Sequence, residues 1–370
     1  MAEVLTNTTD LTKVAAAIRE KGGTSDLLVC PDGFVTAIQA IKTGTAELKI
    51  VVSVTSGATV TATKGSKVVS GTSVNGACML TVPEEGEWTV SATLDGKTSD
   101  SNIVNVVSSY DTSLVFISTI LNDNSWETIR AISDAGTGAN YWSVADREAI
   151  TLNGTVGHLT LSNYTTYAFI IGFNHNASLE GANRIHFQLG KTALSGGTDV
   201  ALCEDSHYNT SLGEFCMNTS ETNYGGWKSS KMRTKICGTS MSSYSGTIIA
   251  VIQEALRAVL KSVTKYTFHN DASGVSATTD YFFLLSEYEV FGSITQANRN
   301  ESSQQAQYSY YSAGNGTIKY KHNDTNTAAL WWLRSLPTSS SQYFVFVHIT
   351  GKVSSTSARY SLGFAPGFCV

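Results

Sequence analysis

The sequence predicts a multidomain chain in three parts. These are short helices over residues 1–44, an all-β sandwich over 46–107 and an α+β domain over 111–370. Two observations predict it. Apolar residues recur at helical spacing up to residue 44 and then alternate with polar ones. Beyond residue 111, aromatic-rich apolar segments are separated by loops of Ser, Asn and Gly. A length of 370 residues suits two or three domains.

In the first part, Asp10 can cap a helix whose stripe is Leu11, Val14, Ala15 and Ile18, with Gly22 and Gly23 as its stop. Pro31 then opens a second helix, with Phe34, Val35, Ile38 and Ile41 on one face and Gly44 at its end. Two helices this short cannot bury both stripes against each other. They are expected to pack on another copy, another protein or the rest of the chain.

In the second part, Leu48, Ile50, Val52 and Val54 alternate with mostly polar residues. Val60, Ala62, Leu80, Val82, Trp88, Val90 and Ala92 continue the pattern. Ser56-Gly57, Lys64-Gly65, Asn75-Gly76, Glu85-Gly86 and Asp95-Gly96 fall between as turns, the spacing of a small sandwich. In the third part, helices are expected over residues 126–133 and 247–263, and strands over 168–173, 281–286 and 343–349. Trp227, Trp331, Trp332 and Arg334 are expected in one buried cluster. Glu287 or Glu289 is expected to pair with Arg233 or Arg334, because a buried guanidinium needs a partner.

Composition narrows the function classes. Charged residues make up 15% of the chain, against about 25% for average domains. The net charge is -5, with no basic stripe, which argues against nucleic acid. No apolar run reaches membrane-spanning length, and the first ten residues lack the apolar core of a signal peptide. The expectation is a protein made in a cytoplasm, with no membrane insertion. Cys30, Cys78, Cys203, Cys216, Cys237 and Cys369 form no CxxC pair and fit no zinc spacing. They read as buried thiols, with one disulfide among Cys203, Cys216 and Cys237 as the alternative.

Candidate chemistry is sparse. No Gly-x-Ser-x-Gly elbow, phosphate-binding glycine loop or HExxH occurs, and no two of the seven histidines have helical zinc spacing. His175 reads as a hydrogen-bonding residue before a ligand contact or a metal ligand. Glycoside cleavage would need two converging carboxylates, for which Glu287 and Glu289, two apart on an expected strand, are the candidates, with Asp280 nearby. No catalytic residue, metal or cofactor is assigned.

Three resemblances add to this. Residues Thr9 to Gly23, followed by Phe34-Val35-Thr36-Ala37-Ile38, resemble the leader of many phage tail and baseplate proteins. Residues Gly76 to Pro83 and Gly86 to Val90 resemble bacterial immunoglobulin-like and carboxypeptidase-regulatory-like modules, which usually act as spacers. The third part is similar to a domain of unknown function common in phages and prophages of Gram-positive gut bacteria. Its landmarks are Trp126 to Ile129, Tyr141 to Asp146, Ile171 to His175, Gly225 to Arg233, Phe283 to Val290, Trp331 to Ser335 and Phe364 to Phe368. Ala145 departs from it, standing where a Gly is usual. By analogy, the Trp-rich motif before a terminal strand implies a C-type-lectin-like fold, related to formylglycine-generating enzymes and to the variable proteins of diversity-generating retroelements.

The resemblances imply a virion protein of a phage tail, assembled in the host cytoplasm and partnered by other tail proteins. A homo-oligomer, with a trimer among the options, is expected. Loops at 306–326, 338–343 and 354–360 are rich in Tyr, Ser and Asn, the composition of adaptable binding loops. Tyr308, Tyr310, Tyr311, Tyr320, His322, Asn323, Tyr343 and Tyr360 are therefore the candidate ligand-binding residues, for a bacterial surface glycan or protein. The leading expectation is an adhesin or receptor-binding component. The alternatives are a purely structural tail-decoration or baseplate protein, and a glycan depolymerase.

Overall fold

Two of the expected turns set the register of the first sheet region. Asn75 (φ 53°) and Gly76 (φ 83°) both adopt left-handed backbone between the bridged residues Val74 and Ala77. Asp95 (φ 50°) and Gly96 (φ 77°) do the same between Leu94 and Lys97. This is the two-residue hairpin turn whose twist matches the strands it joins. The computed structural model describes residues 8–22 and 47–370, apart from 108, 115, 272 and 273. The second N-terminal helix expected over residues 31–44, and Cys30, lie outside the described residues. Helix α1 (Thr8–Gly22) buries Ala15 and Ile18 and leaves Val14 39% exposed.

The chain divides into two units, Met1–Phe116 and Ile117–Val370. In the first, strands β1 (Lys49–Ser53), β2 (Thr59–Lys64), β3 (Lys67–Thr72), β4 (Ala77–Thr81), β5 (Gly86–Leu94), β6 (Lys97–Ser99), β7 (Asn102–Val106) and β8 (Ser109–Ser113) follow in order. One sheet runs β4-β1-β8, and the other is built on β3-β2-β5-β6 with β7 paired to β5. Alternation buries Ile50, Val52, Cys78 and Leu80 from one sheet and Val60, Ala62, Trp88, Val90 and Val104 from the other, in one core. Trp88 is fully buried and donates Nε1–H to the Glu84 carbonyl at 3.1 Å. β8 pairs in parallel with β1, Ile50 opposite Tyr110, so this unit continues beyond the boundary expected at residue 107.

The second unit is built on a five-stranded antiparallel sheet. Its strand order is Arg147–Val156, Leu159–Phe173, Ile185–Lys191, Gly367–Cys369 and Phe282–Phe283. Every residue of Ile185–Lys191 is buried, as expected of a strand covered on both faces. Smaller sheets pair Val263–Phe268 with Val275–Asp280, and Tyr343–Val347 with Trp331–Trp332 and Val353–Ser357. Trp126, Trp227, Trp331, Trp332, Phe187 and Phe368 belong to one apolar cluster.

Helix Trp126–Asp134 forms where the sequence places one. Ser125 caps it by accepting from the Thr128 N–H at 3.2 Å, and Trp126, Ile129 and Ile132 face inward. The long helix expected over 247–263 does not form. The chain makes short helices Ile248–Val251 and Glu254–Val259, with Ile252 extended between them (ψ 152°). Ile252 bridges Leu152 on the edge strand, and Gln253 Oε1 accepts from the Thr151 N–H at 2.9 Å. Satisfying that open edge overrides helix propensity, and Val263 then begins a strand. The expected strand 281–286 shortens to Phe282–Phe283, and Glu287–Phe291 is a helix rather than a strand carrying Glu287 and Glu289 on one face.

Candidate functional site

The candidate tyrosines divide into covered and open. Tyr308, Tyr310 and Tyr311 are 0%, 2% and 5% exposed, which corrects their expected place on an open loop. Ser309–Ser312 forms a one-turn helix whose two serines face solvent while the tyrosines turn inward. Each hydroxyl meets a buried polar group. Lys265 Nζ donates to Tyr308 at 2.8 Å, Lys191 Nζ donates to Tyr310 at 2.9 Å, and Tyr311 donates to Gln188 Oε1 at 2.7 Å. A tyrosine that satisfies an otherwise unpaired group in an apolar interior is a core residue, whatever its flanking serines.

Tyr320 and His322 are half-buried and Asn323 is exposed. Tyr320 pairs with Val200 and Ala328 within a small sheet. The His322 ring lies edge-on to Tyr164, its Nδ1 accepts from the Cys203 N–H at 3.2 Å, and burial lowers its pKa. Asn323 donates to Asp205. These residues tie the 319–324 hairpin to the 199–205 segment, where Asp199 accepts from both the Tyr320 N–H at 2.8 Å and the buried Tyr310 hydroxyl at 3.2 Å.

Beneath Tyr308 lies a buried network that the sequence signals only in part. Arg334 donates through Nη2 to Glu289 Oε1 at 2.8 Å and through Nη1 to Oε2. Lys265 Nζ reaches Glu289 Oε1 at 2.9 Å and Glu180 Oε2 at 2.6 Å. Burial opposes the Glu289 charge, yet Arg334 and Lys265 hold its carboxyl far below the usual range. Burial instead raises Glu180 to about 7 and lowers His175 to about 3. His175 stacks on Tyr308 with centroids 3.7 Å apart.

Ligand atoms of His175, Glu180 and Glu289 lie within 4.8 Å of one another, as a metal site would require. The Lys265 ammonium already sits between the two carboxylates, so a cation there would meet a fixed positive charge. The arrangement is a neutralised core cluster. Glu287 is equally spent, accepting from the backbone N–H groups of Thr295 at 2.6 Å, Gln296 at 3.1 Å and Ala297 at 2.6 Å. Arg233 pairs with Asp280 at 2.6 Å, and Asp280 also accepts from Trp227 Nε1 at 3.0 Å. Neither Glu287 nor Glu289 is open to a sugar. The five described cysteines are free and buried.

An open face forms where the 338–343 and 354–360 loops meet a third segment, 218–224. Tyr343, at 38% exposure, pairs with Ser357, and the Ala358 N–H donates to the Gln342 carbonyl at 2.9 Å. The Asn218 N–H donates to the Ala358 carbonyl at 3.0 Å, and Asn223, fully buried, ties the 218–224 segment to the 338–343 loop. Its backbone N–H donates to Ser341 O at 2.8 Å, and its Nδ2 donates to Ser340 O at 2.8 Å and Tyr343 O at 2.9 Å. Tyr224, next in sequence, is 70% exposed, and Tyr360 is 39% exposed. Gly226 lets the chain turn away directly afterwards. Its φ is +51°, and a Cβ there would fall 2.7 Å from the Phe268 carbonyl oxygen.

Beside Tyr224 a cleft of about 360 Å³ is lined by Asn218, Thr219, Ser220, Thr222, Ser229, Lys231, Thr234 and Lys235. The face therefore combines exposed aromatic rings with hydroxyls and amides on hydrogen-bonded loops. Sequence reasoning does not single out Tyr224 or Asn223. The usable signal is an aromatic between Thr222-Asn223 and Gly225-Gly226.

Residues 208–370 match a family described as a domain of unknown function, DUF6273. The matched span contains Tyr224, Tyr343, Tyr360 and the cleft residues. No curated protein matches the chain.

Proposed function

We propose that this chain is a tail-associated virion protein of a phage, acting as an adhesin that binds a bacterial surface glycan or protein through the Tyr224–Tyr343–Tyr360 face. The observation that carries the binding reading is the face itself. Three exposed tyrosines lie on hydroxyl-rich segments that are tied together by the buried Asn223, bonded to the 338–343 loop, and by the Asn218 N–H, bonded to the Ala358 carbonyl. Tyrosine supplies contact area at small entropic cost, and rigid support limits what is lost on binding. The tail assignment rests on the resemblance of the N-terminal leader. In this reading the leader helices attach the protein to other tail proteins or oligomerise it, and an immunoglobulin-like first unit spaces it. A C-type-lectin-like second unit presents the loops. No enzymatic step is assigned, since the candidate carboxylates are buried and spent.

Substituting Tyr224, Tyr343 and Tyr360 together by Ala tests the reading. The expected result is lost binding to host cells or cell-wall fragments with the melting temperature nearly unchanged. Full retention of binding by the triple variant removes the adhesin reading and leaves a structural tail protein. Among the described residues no helix is long and apolar enough to cross a membrane.

A further inference from the structure

A second cavity, of about 440 Å³, opens between helix Trp126–Asp134, the 182–184 turn and residues 260–262, with Tyr281 on its wall. Three cationic side chains line it, Arg130, Arg184 and Lys261, against one carboxylate, Asp134. Lys261 is already used: it pairs with Asp134 at 2.6 Å and donates to the Asn183 carbonyl at 2.6 Å and Ser133 Oγ at 3.2 Å. The two arginines are used only in part. Arg130 donates from Nε to Asp134 at 2.8 Å and from Nη1 to the Val259 carbonyl at 2.9 Å. Arg184 donates from Nε to the Ser262 carbonyl at 2.9 Å and from Nη1 to the Ala182 carbonyl at 2.7 Å. Both guanidiniums are thus fixed along one edge, and neither Nη2 has a partner among the described residues.

The Arg184 guanidinium packs against Gly181. Gly181 sits at φ +103°, and a Cβ there would overlap the Arg184 guanidinium. The Arg184 backbone is held as well: its N–H donates to Asn174 Oδ1 at 3.2 Å, and its carbonyl accepts from Asn174 N–H at 2.8 Å. Burial lowers the Lys261 pKa, Asp134 opposes that shift, and the Arg130 and Arg184 charges add to it, so the lining holds three cations against one carboxylate. In a chain of net charge -5, such a local excess attracts anions selectively.

We propose that this cavity is an anion site for a phosphoryl group, such as a phosphate ester on a sugar or polyol. Two preorganised guanidiniums on separate elements suit a tetrahedral anion, whose oxygens project toward both. A planar carboxylate presents one edge and matches one fork. The remaining volume takes the rest of a small ligand. The site shares no residue with the tyrosine face, so either reading can fail while the other stands.

The test is calorimetric titration of the full chain with inorganic phosphate, glycerol phosphate and glucuronate at constant ionic strength, with thermal stability followed in parallel. Saturable phosphate binding that raises the melting temperature is expected. Arg130→Gln and Arg184→Lys should each weaken it by about tenfold or more, equivalent to ~1.4 kcal/mol. Arg299→Gln, on an exposed residue outside the cavity, should leave it unchanged. No saturable phosphate binding, or unchanged affinity in Arg130→Gln, overturns the site. Glucuronate binding as tight as glycerol phosphate overturns the phosphoryl assignment. Arg130 is half-buried, and glutamine keeps a donor for its partners, so that variant is expected to fold and decides the matter even if Arg184→Lys fails to fold.

Discussion

Arg334 grips both carboxylate oxygens of Glu289, and neither residue exposes any surface. Glu289 does a second job at the same time. Its Oε2 accepts from the Ser286 N–H at 2.9 Å while Ser286 Oγ accepts from the Glu289 N–H at 3.1 Å, a capping box that starts helix Glu287–Phe291. The Trp331–Ser335 motif is thereby fastened to the Phe283–Val290 motif. Removing one partner strands a buried charge. Arg334→Ala or Glu289→Ala should each cost about 3–5 kcal/mol in chemical denaturation. The double variant should cost less than the two together, and strict additivity would show that the pair is not coupled.

Glu301 gives a pH prediction with a defined sign. It is fully buried, accepting from Ser335 Oγ at 2.7 Å and the Phe268 N–H at 3.0 Å, and burial raises its pKa from 4.5 to about 7. A carboxyl whose folded pKa is raised binds its proton more tightly in the folded state. Its contribution is therefore full below pH 4.5 and is lost as pH climbs toward 7. Relative to Glu301→Gln, the wild type should lose stability across that window, on the order of 3 kcal/mol in total. A difference that is flat with pH would show that Glu301 is ionised throughout.

The tyrosines should sort by burial rather than by neighbourhood in sequence. Tyr308→Ala should cost about 3–5 kcal/mol, because it removes a ring from a filled core and the partner of Lys265 and His186. Tyr311→Phe should cost about 1 kcal/mol through the unpaired Gln188 oxygen. Tyr224→Ala and Tyr360→Ala should each stay within about 0.5 kcal/mol of wild type. Thermal melts of the four variants check the ordering.

Ala145 carries measurable backbone strain. The Tyr141–Asp146 landmark in the resembling domain has Gly at this position, and here Ala145 adopts φ 79°, with its N–H bonded to the Ile170 carbonyl at 2.8 Å. A Cβ in that conformation costs about 1 kcal/mol or more. Ala145→Gly should raise stability by about that amount, offset in part by the greater freedom of an unfolded glycine. A lower melting temperature in the variant would mean that the Ala145 methyl contributes more through packing than it costs.

What the sequence determined by itself is local. Turns at Asn75-Gly76 and Asp95-Gly96, the alternation of Ile50 and Val52 or Trp88 and Val90, and the Ser125-capped helix are each set within a few residues. There, side-chain sterics and nearby hydrogen bonds dominate. The Trp and Arg motifs also marked the core correctly, because Trp227, Trp331, Trp332 and Arg334 have too much apolar or charged surface to leave unpartnered. Tertiary structure decided the rest. Tyr308 meets His186 across 122 residues of sequence, and Lys265 meets Glu180 across 85, so no local pattern could distinguish these tyrosines from exposed ones. The 247–263 segment breaks at Ile252 because a distant strand edge needs pairing. The open face appears only when Asn223 joins the 338–343 loop, with 120 positions separating it from Tyr343, and the Asn218 N–H bonds the Ala358 carbonyl. Burial and pairing at that range depend on which surfaces the fold brings together, and alternation or composition carries no record of it.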